Sequence, residues 1–87
     1  MATVFIPHQM RELTGGVARL EIEAKTLRQA IRTLDEQFPG IAARLTDGEG
    51  LSPGIQVSID GAISSRGLLA PIKPTSEVHF LPAIGGG

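Results

Sequence analysis

The chain has 87 residues, 41% of them hydrophobic and 20% charged, with a net charge of -1. One small domain with a limited core is expected, and there is no basic field for nucleic acid. There is no cysteine, which excludes a disulfide staple, a Cys-ligated zinc site and a Cys nucleophile.

The aromatic residues are three Phe, so base-stacking platforms are not expected. The N-terminus lacks the basic start and long apolar run of a signal peptide. No apolar stretch approaches the length that spans a bilayer. The expectation is a soluble, cytoplasmic protein that touches neither membrane nor nucleic acid.

Residues 2–6 alternate, with Ala2, Val4 and Ile6 on one side and Thr3 and Phe5 on the other, the period of a strand. Pro7 closes it, because proline cannot donate to a ladder. Residues 8–16 form a connection ending in the turn signal Thr14-Gly15-Gly16. Residues 17–23 alternate again: Ala18, Leu20 and Ile22 point to the core; Arg19, Glu21 and Glu23 point to water.

The period then changes to that of a helix. Thr26-x-x-Gln29 has the form of a capping box. Leu27, Ala30, Ile31, Leu34 and Phe38 share one helical face, and Arg28, Arg32, Asp35 and Glu36 lie away from it. Pro39-Gly40 stops the helix, and residues 41–45 can add a short helical turn. Residues 46–54 are polar and glycine-rich, a loop.

Ile55, Val57 and Ile59 alternate with Gln56, Ser58 and Asp60 in another half-buried strand, and Asp60-Gly61 is a tight-hairpin dipeptide. Residues 62–64 return briefly; residues 65–75 are irregular, with Pro71 and Pro74 fixing the path. The last strand is 77–82, with Val78 and Phe80 facing the core and His79 and Leu81 facing away. Pro82 then ends the pairing and projects the chain outward. One helix on one face of a mainly antiparallel sheet is an α+β, two-layer design. If the last strand lies beside the first, those two are parallel and the sheet is mixed. That arrangement is the β-grasp, or ubiquitin-like, roll. Residues 1–87 are expected to form a single domain, with 83–87 a flexible tail.

The chain ends in Ala83-Ile84-Gly85-Gly86-Gly87. At a glycine usage of about 7%, a terminal Gly-Gly arises by chance in roughly one chain in 200, and loose termini are common. The tail alone therefore does not separate a signal from a frayed end; its position behind a core strand does. A triglycine has no side chains and allows close backbone approach, so it can thread a channel too narrow for other residues. What reaches the far end is the α-carboxylate of Gly87, which adenylation would turn into an acyl donor.

Other candidate chemistry is weaker. His8 and His79 are the only histidines, too few for a zinc site, and no metal site is expected. Ser58, Ser64 and Ser65 lack a nucleophile-elbow context. Asp47, Glu49 and Asp60 lack EF-hand spacing, and Gly48-x-Gly50 lacks the Lys-Ser/Thr of a phosphate loop. Arg66 and Lys73 are solvated loop charges available to a partner.

The segment 7–16, containing Arg11-Glu12-Leu13-Thr14-Gly15-Gly16, the helix 27–38 closed by Pro39-Gly40, and Glu77-Val78-His79-Phe80-Leu81-Pro82-Ala83-Ile84 leading into the glycines together resemble the MoaD/ThiS family of ubiquitin-like sulfur carrier proteins. The resemblance covers essentially the whole chain. Gly85 departs from it, because carriers of this family usually have a non-glycine residue, often Ala, before the diglycine. Gly86-Gly87 is then the matching pair; the other possibility is an extra Gly87 that is trimmed, against which the spacing from Phe80 speaks.

The resemblance implies a protein co-substrate with no bound cofactor, not an enzyme. Its C-terminal carboxylate is adenylated with ATP by a ubiquitin-activating-type adenylyltransferase. Sulfur from a persulfide or sulfide then gives a thiocarboxylate at Gly87. Ile84, Gly85 and Gly86 thread the partner's active site. Phe5, His79 and Leu81 should lie on the sheet face opposite the helix, where β-grasp proteins commonly dock partners.

For the recipient, the length, residues 46–54 and Leu81-Pro82-Ala83-Ile84 look most like carriers serving cysteine or a related sulfur amino acid. In that pathway the thiocarboxylate reacts with an activated serine derivative on a pyridoxal-phosphate-dependent sulfhydrylase, and a metallopeptidase frees the carrier. The alternatives are the small subunit of molybdopterin synthase, acting with its large subunit, and a ubiquitin-like modifier conjugated through Gly87. The thiamine carrier fits less well because its chain is usually shorter, and a β-grasp interaction module with an inert tail is the remaining reading.

Overall fold

The computed structural model describes residues 1–82; the expectation of a flexible tail over 83–87 falls outside them. In chain order the elements are β1 (Ala2–Phe5), a 3-10 turn (His8–Met10), β2 (Arg19–Ile22), α1 (Leu27–Gln37), α2 (Ile41–Leu45), β3 (Thr46–Asp47), β4 (Gly50–Leu51), β5 (Ile55–Ile59), β6 (Ala62–Ile63), a second 3-10 turn (Gly67–Leu69) and β7 (Glu77–Pro82). Five strands form one sheet in the order β2-β1-β7-β5-β6. β1 and β7 run parallel in its centre, Val4 beside Val78, and every other pair is antiparallel. This is the mixed β-grasp sheet, and β7 takes the bounds that its alternation predicts.

The helix forms as its pattern requires. Thr26 Oγ1 accepts from the Gln29 N–H at 3.3 Å. Gln29 Oε1 reaches back to the Lys25 N–H at 2.8 Å, one residue before the cap rather than to the cap itself. Leu27, Ala30, Ile31 and Leu34 are buried against Val4, Val57 and Val78 of the central strands in one hydrophobic cluster. Gly40, at φ 104, turns the chain out of α1, a conformation open to glycine at little cost. Asp35, placed off the apolar face as its position predicts, accepts from the N–H groups of Gly40 at 3.0 Å and Ala42 at 3.1 Å. One oxygen, Oδ1, takes both bonds at the start of α2, whose first amides would otherwise be unpaired.

Other differences have local causes. Ala18, expected in the core, is exposed: it precedes the edge strand β2, with no strand beyond it to pack against. Residues 46–54, expected to be loop, contain the two-residue strands β3 and β4. The irregular stretch after β6 contributes Leu68, Ala70 and Ile72 to the core. It is stitched to the entrance of α1 by Leu27 N–H to the Ala70 carbonyl and Ile72 N–H to the Lys25 carbonyl.

The Asp60-Gly61 turn has φ 54 and 86, the positive pair that a tight two-residue hairpin needs. Asp60 also clamps the start of β7. Its carboxylate accepts from the Glu77 N–H and from the Ser76 hydroxyl, both at 2.9 Å. The bond from the Glu77 backbone N–H, then that from the Ser76 hydroxyl, holds the Asp60 carboxyl below its ordinary value. The folded form therefore binds this proton less readily than the unfolded chain. The clamp's stability is present above about pH 4 and is lost as pH falls through the lowered folded value.

Two outcomes follow. Asp60→Asn lowers the urea midpoint at neutral pH, and the gap to the wild type narrows as pH falls below about 4; a constant gap contradicts the clamp. Leu34→Ala costs about 2–5 kcal/mol of unfolding free energy in the same assay.

Candidate functional site

β7 delivers the candidate reactive end of the chain. β1 accompanies it from Glu77 to His79, and β5 accompanies it to Pro82, which stands opposite Ile55. Pro82, the expected end of the pairing, is the last paired residue among the described ones. A proline is tolerated there because β1 leaves the strand after His79, so Pro82 has a neighbouring strand on one side only, as on an edge strand. Ile84, Gly85, Gly86 and Gly87 lie outside the described residues.

The sheet face opposite α1 is uncovered. Registers place Phe5 beside His79, His79 across from Ser58, Ser58 across from Ile63, and Gln56 across from Leu81, and paired residues share a face. The Phe5 and His79 rings are stacked, with centroids 4.1 Å apart and planes 8° from parallel. His79 Nε2 lies 3.7 Å from a Glu77 carboxylate oxygen. Leu81 is 38% exposed and Ile63 is 56% exposed.

Phe5, His79 and Leu81 therefore share one face, as their alternation predicts, together with Ile63 and the polar Gln56 and Ser58, and with Arg19 and Glu21 at the β2 rim. Ile63 was missed. The signal was present, because a two-residue turn at Asp60-Gly61 fixes the register that sets Ile63 beyond Ser58. Ser58 is buried despite its outward side, since His79 and Ile63 flank it.

The other candidates do not converge. His8 opens the first 3-10 turn and is exposed, far in sequence and element from the His79 stack. Asp60 is committed to the β7 clamp. Among the described residues no group of three or more His, Cys, Asp or Glu could hold a metal ion, and no helix is long and apolar enough to cross a membrane.

A model of the ThiS family matches residues 4–87. The chain belongs to the ThiS family. Sulfur carrier protein CysO of Mycobacterium tuberculosis is 35% identical over 92 residues, covering 98% of this chain and 97% of that protein. A chain in the crystal structure of the Amycolatopsis orientalis BexX/CysO complex superposes with a TM-score of 0.90 at 34% identity, covering 100% of both chains. Small archaeal modifier protein 1 from Methanosarcina acetivorans shares the fold, with a TM-score of 0.76 at 21% identity over 99% of this chain and 95% of that one. This ThiS-family chain is thus a homologue of sulfur carriers on a ubiquitin-like β-grasp fold.

Leu81 and Ile63 contribute little to the core of this ThiS-family fold. Leu81→Ser and Ile63→Ser each leave unfolding free energy within about 0.5 kcal/mol of the wild type, measured by urea unfolding; a loss of core-substitution size contradicts the assignment of these side chains to a free face.

Proposed function

We propose that the chain carries sulfur on the terminal carboxylate of Gly87. The observation that supports this most is the delivery of the chain's end from the central strand β7, whose root is hydrogen-bonded into the sheet as far as Pro82, in a chain homologous to sulfur carriers. A rigid root with a side-chain-free terminus suits insertion into another protein's active site.

The chemistry needs two displacements. A Gly87 carboxylate oxygen attacks the α-phosphorus of ATP in an adenylyltransferase; the bond to the β-phosphate bridge breaks and pyrophosphate leaves. A hydrosulfide nucleophile then adds to the Gly87 carbonyl carbon. The carbon–oxygen bond to AMP breaks, AMP leaves with that oxygen, and the thiocarboxylate remains after loss of the sulfhydryl proton. Glycine leaves the carbonyl carbon unhindered for this attack. The chain acts as co-substrate, and the chemistry is done by partner enzymes.

Partners dock on the open face, with Phe5, His79 and Leu81 as anchors and Ile63 extending the patch. Aromatic and aliphatic anchors in such patches carry much of the binding energy. The recipient is an enzyme that builds cysteine or a related sulfur amino acid on pyridoxal phosphate, with a metallopeptidase releasing the carrier. The homology to CysO proteins supports this recipient over a molybdopterin synthase. A Pyrococcus furiosus molybdopterin converting factor chain is 19% identical and shares the fold alone, as does the archaeal modifier.

Full-length chain is expected to support ATP–pyrophosphate exchange by its activating enzyme. Deletion of Gly86 and Gly87, which leaves no terminal diglycine, brings the exchange to the level of the enzyme alone, and undiminished exchange overturns the assignment. Phe5→Ala and Leu81→Ala each weaken binding to that enzyme by about fivefold or more, the effect of truncating an anchor worth about 1 kcal/mol, read by titration calorimetry.

A further inference from the structure

At the foot of β7 the surface folds into a groove of about 220 Å³. Its walls are mostly apolar, with Met10 from the first 3-10 turn, Ile55 from β5, and Phe80, Leu81 and Pro82 from β7; Gln9 is the one uncharged polar side chain among the described residues that line it. Arg44 of α2 is the only ionisable side chain lining it among the described residues, and Arg44 is exposed.

The backbone at Arg44 is held from behind. The Ser52 hydroxyl donates to the Arg44 carbonyl at 3.0 Å, and the Ser52 N–H donates to the Leu45 carbonyl at 2.9 Å. The end of α2 is thereby fastened to the segment that leads into β5. No carboxylate of the described residues lies within 4.0 Å of Arg44.

We infer that this groove is a second docking site for the activating enzyme, taking an apolar side chain flanked by a carboxylate that pairs with Arg44. The inference rests on the reading of Gly87 as the reacting end. Five residues separate Pro82 from that end, and five extended residues span at most about 18 Å. An enzyme that holds the Gly87 carboxylate in its active site must bring its body within that reach of Pro82. Pro82 and Leu81 form the groove's own wall, so such an enzyme covers the groove whenever it holds the tail.

The covering surface meets one cation and one amide, Gln9, among otherwise apolar walls. A bare apolar lid would strip water from the guanidinium without replacing its hydrogen bonds, which is costly. A carboxylate satisfies it, and a guanidinium takes a carboxylate through two parallel hydrogen bonds. Leu81 belongs both to this groove and to the open face, so the two contacts are continuous around the root of the tail. Arg44 positions the carrier and takes no part in the reaction.

The test is ATP–pyrophosphate exchange by the activating enzyme with full-length chain. Arg44→Glu is expected to raise the KM for the carrier about tenfold while changing kcat by less than about twofold. Arg44→Lys keeps the charge and recovers part of the loss. Added salt raises the wild-type KM more steeply than that of Arg44→Gln, which a packing role would not do. Circular dichroism of each variant matches the wild type, because Arg44 is exposed. Wild-type KM and salt response in Arg44→Glu and Arg44→Gln overturn the inference while leaving the carrier reading intact. Absence of exchange with the wild-type chain overturns the carrier reading, and this inference with it.

Discussion

The parallel pairing of β1 with β7 is the constraint on which the rest of the molecule depends. It joins the two ends of the described chain in the middle of the sheet, with Val4 beside Val78 and both fully buried. A parallel pair needs a crossover between its strands; here everything from β2 to β6 is that crossover. α1 covers one side of the pair, and β2 and β5 flank it. The result is that the strand from which the tail departs is the best-supported strand in the sheet. A tail on an edge strand would move with a fraying edge; a tail on β7 starts from a point that β5 holds in register to Pro82.

The two faces of the sheet divide the labour. Valines and isoleucines facing α1 build the core, while the other face carries Phe5 stacked on His79, with Leu81 and Ile63 beyond. Because the strand period is two, the residues that stabilise β7 and those that remain available to a partner alternate along the same six positions. Asp60 ties the arrangement together from below: one side chain closes the β5–β6 turn region onto the start of β7 through Ser76 and the Glu77 amide. Asp35 likewise accepts from backbone donors at the start of α2.

Much of this was legible because periodicity carries it. The alternation in 2–6, 55–59 and 77–82, the helical face from Leu27 to Leu34, and the Thr26-x-x-Gln29 start each have a period or spacing that only one backbone satisfies. The placement of Phe5, His79 and Leu81 on one face followed from the same alternation. Leu68, Ala70 and Ile72 were not legible as core, because an irregular segment has no period and its burial comes from hydrogen bonds to residues more than forty positions away in sequence, Lys25 and Leu27. Ala18 was misplaced because alternation does not reveal which strand is at the edge. Arg44 gave no signal: an arginine on a five-residue helix is ordinary until the fold sets it beside the foot of β7. The proposal for Gly87 rests on the side-chain-free end and the family resemblance rather than on any period.

The most direct measurement is the intact mass of the chain after incubation with its activating enzyme, ATP and sulfide. Conversion of the Gly87 carboxylate to a thiocarboxylate adds the mass difference between one sulfur and one oxygen atom, and fragmentation places that gain on Gly87. An unchanged mass, with an enzyme shown to consume ATP on this chain, contradicts sulfur carriage at Gly87.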